Sequence, residues 1–489
     1  MKSKAYNIIL LSIIAGLFSL LMPACIDESI SSDPGLKLKF STDTLLFDTV
    51  FTTIGSSTAQ IKVYNPNNKN IQISAIGLGL GSNSPYRLNV DGTSSKNNQF
   101  SNIELRAKDS LYIFVEVTVD PQAVNSPVFV KDSIFFITNT NKQDIKLLAY
   151  GQNMEILRNK TIHNDSTLTA EKPYLVYGDL TVDSAKTLTL LPGCRLYFHQ
   201  KSNLIVYGNL VANGTFNQPI LFRGDRTDQI FEGIPYNLVS NQWGGVFLLN
   251  KTGKHILNHV NMNSGYVGIY FSNDDRNFCP SLDITNCRIH NFLKYGLVVQ
   301  NGNVNVVNSE ISNTGSYSVY LNGGKHTFIH TTIANYFNST NVRLQPSDRD
   351  GKAALVITEL DRVVPMETVF ENCVVAGSLS DEFEILSRFE DEYHGSFSYS
   401  YILKDKPNPL ASMFSNVVWH DSKDKLFKNT YYDLNKKEYY NFMPDSVSPF
   451  RNIADINISQ LYPVDLDGNN RLEDNHPDAG AYEWQPAKK

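Results

Sequence analysis

The sequence predicts an all-β protein: a β-sandwich of short strands followed by a solenoid of strands with about 22 residues per coil. The first observation is a repeat over 284–335, where Ile289, Ile311 and Ile333 fall 22 positions apart, as do Asn291, Asn313 and Asn335. The next strand keeps the register, with Gly296-Leu297-Val298 falling on Ser318-Val319-Tyr320. Apolar residues alternate inside each copy, which is the period of a strand and not of a helix. The second observation lies between Leu36 and Gln152, where alternating runs such as Ala59–Tyr64, Ile71–Ile76 and Leu111–Val119 are separated by turn residues such as Asn65-Pro66-Asn67-Asn68 and Asp91-Gly92. About seven short strands without helical periodicity are the pattern of a sandwich. The third is composition: charged residues make up 19 %, aromatics 11 %, and the net charge is −6. That balance excludes the basic footprint of a nucleic-acid binder.

The 489 residues exceed one small core, so several segments are expected. Residues 1–24 read as a signal peptide, with Lys2 and Lys4 before the apolar run Ile8–Leu21 and the small Ala24 before Cys25. Residues 25–35 read as a polar tether, 36–152 as the sandwich, 153–173 as a connector, and 174–485 as the solenoid with a C-terminal closing segment. That segment is expected to cover the open end, where unpaired strand edges would otherwise meet solvent.

Leu21-Met22-Pro23-Ala24-Cys25 resembles a bacterial lipobox, which implies lipidation of Cys25 and an extracytoplasmic, membrane-anchored protein. Asp27 and Glu28 after that cysteine resemble the surface-export tag of Bacteroidota lipoproteins. Phe47-Asp48-Thr49-Val50-Phe51, Ile61-Lys62-Val63-Tyr64-Asn65 and Val115-Glu116-Val117-Thr118-Val119-Asp120-Pro121 look like the start of a large group of such lipoproteins. In that group an immunoglobulin-like domain of the ASPM–SPD-2–hydin type precedes a right-handed parallel β-helix of the pectin-lyase fold. The opening coils, Leu188–Phe198 and Leu204–Thr215, and the ending Pro477-Asp-Ala-Gly-Ala-Tyr-Glu-Trp484 resemble the same group. The resemblance implies an outer-membrane, surface-facing lipoprotein. It implies no established reaction.

A β-helix corner needs Gly, Asn or Asp for its tight turns, and a column of Asn can form an amide ladder. Asn291, Asn313 and Asn335 are the candidates for that ladder. Cys287 and Cys373 occupy one repeat position several coils apart, too far for a disulfide. The interrupting loops hold the candidate catalytic residues. Asp274, Asp275 and Arg276 lie in the loop 272–281, and Asp361 and Glu367 bound a loop expected on the same edge. A polysaccharide lyase needs a base beside a neutralised uronate, and a glycoside hydrolase needs two carboxylates flanking the glycosidic oxygen. Neither set is complete, so the fold alone assigns no activity. Asp465, Asp467 and Asn469 alternate as in half of a calcium loop, but Pro463 stands at the first ligand position and no Glu closes the last. No metal or other cofactor is therefore expected, with calcium at these three residues as the one candidate. The reading that remains is binding of a glycan or a surface protein, with a lyase or hydrolase acting on an acidic glycan as the alternative and a purely structural role as the third.

Overall fold

The structure is a computed structural model that describes residues 29–486, except 122, 126, 232, 276, 338–349, 360–363, 365, 388–393, 405–410, 421–424 and 433–438. Cys25, Arg276 and Asp361 lie outside the described residues. The described chain is all-β and divides into two compact units.

The first unit runs up to Pro121 and includes Val128–Gly151. It holds two five-stranded sheets. In one, Ala59–Tyr64 and Tyr86–Val90 flank Ser110–Val117 in antiparallel register. In the other, Val128–Thr138 lies between Asn141–Gln152 and Ile71–Leu78. The period-2 pattern does what a strand requires. Leu111, Ile113, Val115 and Val117 are buried, and they join Ile73, Phe136, Ile145 and Leu147 in one apolar cluster.

The second unit is a stack of coils, each with three faces. Ser281–Thr285, Asn303–Val307, Gly324–Ile329 and Met366–Glu371 pair in parallel as face one. Arg288–Phe292, Glu310–Thr314, Thr332–Asn335 and Val374–Gly377 form face two. Tyr295–Gln300, Val319–Asn322, Leu355–Glu359 and Phe383–Ser387 form face three. The register makes columns: Ile289 lies on Ile311, Ile333 and Val375, and Leu297 on Val319, Leu355 and Phe383. These inward columns build one continuous core. Trp243 anchors an early coil, stacked on Phe198 at 4.4 Å, with its indole N–H donated to the Asn263 carbonyl at 2.8 Å.

Three expectations are corrected. The connector expected over 153–173 is already part of the stack. Glu155–Ile162 pairs in parallel with Tyr174–Val182, and Ser166–Leu168 with Thr187–Leu190. A bulge between Arg158 and Lys160 breaks the alternation there, so the sequence pattern hides the strand.

The amide ladder does not run through Asn291, Asn313 and Asn335. Asn291 donates to the Asn237 carbonyl at 3.0 Å, Asn313 accepts from the Tyr336 N–H at 3.1 Å, and Asn335 donates to the Ser316 carbonyl at 2.9 Å. The ladder occupies the corner between faces one and two. Asn308 donates to Asn286 at 2.7 Å, Asn286 to Asn258 at 3.2 Å, and Asn258 to Asn213 at 2.9 Å.

The closing segment lies against the outward side of face two. Ala334, Val374, Ala376 and Tyr401 point out of the coils and share a cluster with Phe427, Phe442, Phe450, Leu466 and Ala481. Polar bonds pin the cover in place. The Gly480 N–H donates to the Asn372 carbonyl at 2.7 Å, and the Ala481 N–H to Thr332 Oγ1 at 2.8 Å. The physical reason is the outward row itself: from Thr332 onward it is small and apolar, and burying it beside the coils removes more apolar surface from water.

Candidate binding site

The polar beginning of that same row forms the floor of a cavity of about 360 Å³. Arg288 and His290 project from one coil, and Glu310 and Ser312 stand beside them in the next. Asn237 and Leu238 wall one side, Tyr439–Phe442 another, and Asp467 and Tyr482 of the closing segment complete it. Strand alternation aims 288, 290, 310 and 312 outward while Ile289 and Ile311 enter the core.

The floor is tightly bonded. Arg288 donates to the Asp467 carboxylate, to the Leu466 carbonyl at 3.3 Å and to the Tyr482 hydroxyl at 3.3 Å. The Tyr482 hydroxyl donates to Glu310 Oε2, and Ser312 Oγ donates to Glu310 Oε1 at 2.5 Å. Burial works to lower the Arg288 pKa, but the Tyr482, Asp467 and Glu310 oxygens around it win and raise it. Burial raises the Asp467 carboxyl, against the pull of Arg288. Burial, then the Glu310 carboxylate, pushes the Tyr482 phenol well above its ordinary value. These groups form one mutually satisfied network.

Among the described residues, two groups lining the cavity lack a hydrogen-bond partner. Asn237 Oδ1 is buried without a hydrogen-bond partner. His290 makes no hydrogen bond among the described residues, and burial, against the pull of Glu310 and with the help of Arg288, lowers its pKa, so the ring is neutral at pH 7. Asn237 Oδ1 is fully buried and offers no surface to the cavity, so His290 is the group left for a ligand or ordered water.

Among the described residues, those singled out from the loops do not converge. Asp274 is exposed. Asp275 accepts from the Asn277 N–H at 3.2 Å and from Lys251 at 3.2 Å, and these bonds hold it below the usual carboxylate range. Glu367 is likewise held low by Lys325 at 2.9 Å. The register Ser281, Asn303, Lys325, Glu367 puts Glu367 three coils beyond the loop 272–281, roughly 14 Å at sheet spacing. Asp275 and Glu367 are each neutralised locally, and the two flank no common point.

Asp465, Asp467 and Asn469 form a turn of the closing segment. Asp465 accepts from the backbone N–H groups of Asp467, Asn469 and Glu483 and from the Asn469 amide, while Asp467 is taken by Arg288. Among the described residues no three His, Cys, Asp or Glu side chains gather as metal ligands. Sequence reasoning placed function on the interrupting loops and missed Arg288, Glu310 and Tyr482. The signal that could have found the first two was a pair of opposite charges one repeat apart, at outward positions beside Ile289 and Ile311.

No protein-family model matches the chain, and no curated protein matches it. Among solved structures, a family 123 glycoside hydrolase from Clostridium perfringens aligns with 26 % of this chain at 7 % identity and a TM-score of 0.19. The alignment spans 30 % of that enzyme. The ASH/PapD-like domain of human CEP192 aligns with 27 % of this chain and 94 % of its own length, at 10 % identity and a TM-score of 0.17. The E. coli chaperone DraB aligns with 23 % of this chain and 54 % of its own, at 11 % identity and a TM-score of 0.17. Likenesses this partial carry no functional assignment.

Proposed function

We propose that this chain is a surface-facing lipoprotein of the outer membrane, anchored through Cys25, that binds a glycan in the cavity on face two. In this reading the first unit is an immunoglobulin-like β-sandwich and the second a right-handed parallel β-helix. Two five-stranded sheets around one core support the former, and three-faced coils in parallel register support the latter. The lipobox-like Leu21–Cys25 supports the anchor. No cofactor is needed.

The observation that carries binding is the unpaired His290 in the cavity, between a bonded floor and tyrosine walls. A cavity of about 360 Å³ is the size of a small-molecule site. A protein partner would need a flatter patch of about 800 Å² per side, which this recess does not offer. Aromatic walls with a few placed polar groups suit sugars, whose C–H faces pack on rings while their hydroxyls hydrogen-bond.

A glycan array probed with the purified protein is expected to give hits that His290→Ala reduces at least fivefold. An array without hits, or hits indifferent to His290, refutes the reading. Cys25→Ser is expected to release the protein from the membrane fraction, and retention in that fraction refutes the anchor.

A further inference from the structure

Resting on the glycan reading, we propose that the cavity takes an uncharged, hydroxyl-rich sugar unit and discriminates against uronates. The fixed charges set the sign. Among the described residues the cavity holds one guanidinium, Arg288, and two carboxylates, Glu310 and Asp467, a net charge of −1. Arg288 is not free to receive a ligand carboxylate. Asp467, the Leu466 carbonyl and the Tyr482 hydroxyl already engage it. A uronate would bring a third carboxylate into a recess whose cation is taken, and like charges at close quarters repel most strongly where water is scarce.

The open hydrogen-bonding groups agree. The neutral His290 ring offers one donor and one acceptor. Asn313 Oδ1 is occupied by the Tyr336 N–H, which leaves its amide nitrogen to donate. A sugar hydroxyl both donates and accepts, so it satisfies every one of these groups. A carboxylate only accepts, and in that place it would leave the acceptor nitrogen of His290 unpaired. At the mouth, Tyr439 is 47 % exposed and presents a ring on which the C–H face of a hexose can pack.

The test is titration calorimetry on the full-length protein at pH 7.5 with matched tetrasaccharides. Cellotetraose, mannotetraose and α-1,4-galactotetraose are each paired with the uronate of the same backbone. At least one neutral member is expected to bind, with its uronate at least tenfold weaker. His290→Ala is expected to weaken the neutral ligand about fivefold. Asp467→Asn, which removes one negative charge, is expected to narrow the neutral-to-uronate ratio, a change that a merely structural role would not produce. A uronate that binds as tightly as its neutral partner overturns the inference and leaves the glycan reading standing. Silence from every member of both sets overturns the two together.

Discussion

Arg471 has no exposed surface, yet its charge is not alone. Its Nη2 donates to Asn308 Oδ1 at 2.8 Å, its Nη1 reaches Glu483 at 3.9 Å, and Asp465 and Asp478 lie within electrostatic range. Removing one partner of a buried ionic network strands the others, at a cost of about 3–5 kcal/mol. Arg471→Met is therefore expected to lower the unfolding free energy by about that amount in a denaturant titration, and a change below about 1 kcal/mol would contradict the account. His255 is another buried group held by its partners. Its Nδ1 accepts from the Leu210 N–H at 3.2 Å, so the proton sits on Nε2, which donates to Asn250 Oδ1 at 3.0 Å. The ring is fully satisfied only when neutral, and burial lowers its pKa from 6.5 to about 4. The depressed value fixes the sign. Above pH 6.5 neither state is protonated; between 6.5 and 4 the unfolded chain takes up a proton that the folded chain refuses. The stabilisation present above pH 6.5 is thus lost as the pH falls to about 4, and a shift of this size is worth about 3 kcal/mol. Urea titrations at pH 7.5 and 4.5 should show a smaller difference for His255→Gln than for the parent, and equal differences would remove the histidine from the explanation. The sequence shows these residues but not the partners that come from other coils, Leu210 for His255 and Asn308 for Arg471.

At the scale of the element, the repeat was readable and its hydrogen bonding was not. Two Asn columns recur at 22 residues, Asn286 with Asn308 and Asn291 with Asn313 and Asn335. His330 interrupts the former, so in the sequence the column through Asn291 is the more regular one. In the structure, Asn286, Asn308, His330 and Asn372 take left-handed conformations with φ of 54°, 48°, 45° and 55°. His330 keeps its place by accepting from the Asn372 amide at 3.0 Å and bonding Ser459 Oγ at 3.0 Å. Arg471 donates into the head of the column at Asn308, so the chain of amides starts at a charge and is polarised by it. Two variants separate backbone strain from the amide bond. Asn286→Gly keeps the left-handed corner and loses only the amide, whereas Asn286→Ala loses both, and an L residue without a polar side chain costs about 1–2 kcal/mol there. The alanine variant is expected to be less stable than the glycine variant by about 1 kcal/mol in urea. Equal stabilities would mean that the corner's conformation is not what the Asn supplies. The cysteine column was readable in full: Cys287 and Cys373 are buried and unpaired, and their N–H groups donate to Ser309 at 3.0 Å and Ser400 at 2.9 Å in the next coils.

At the scale of the second unit, the closing segment is both cover and wall. A solenoid has two kinds of vulnerable surface, its open ends and any apolar outward row. The resemblance of the chain's ending and the open strand edges imply a closing segment but do not say which surface it treats. The sign was in the repeat, where the outward column runs Glu310, Thr332, Val374, Tyr401 and its neighbour runs Ser312, Ala334, Ala376. Polar residues stand where the recess opens, and small or apolar ones where Phe427, Phe442, Phe450 and Leu466 sit on them. The same segment brings Asp467 and Tyr482 to the cavity, so covering the row and building the site are one act of folding. A chain ending at residue 424 should then lose two properties together. It should bind a dye for exposed apolar surface through the uncovered Val374, Ala376 and Tyr401, and it should lose its glycan affinity through the missing Asp467 and Tyr482. The strand signal in circular dichroism should persist, because the inward columns of the coils are packed by no residue beyond Trp419. Retained glycan affinity would show that the closing segment does not form the wall, and an absence of dye binding would show that it does not cover the row.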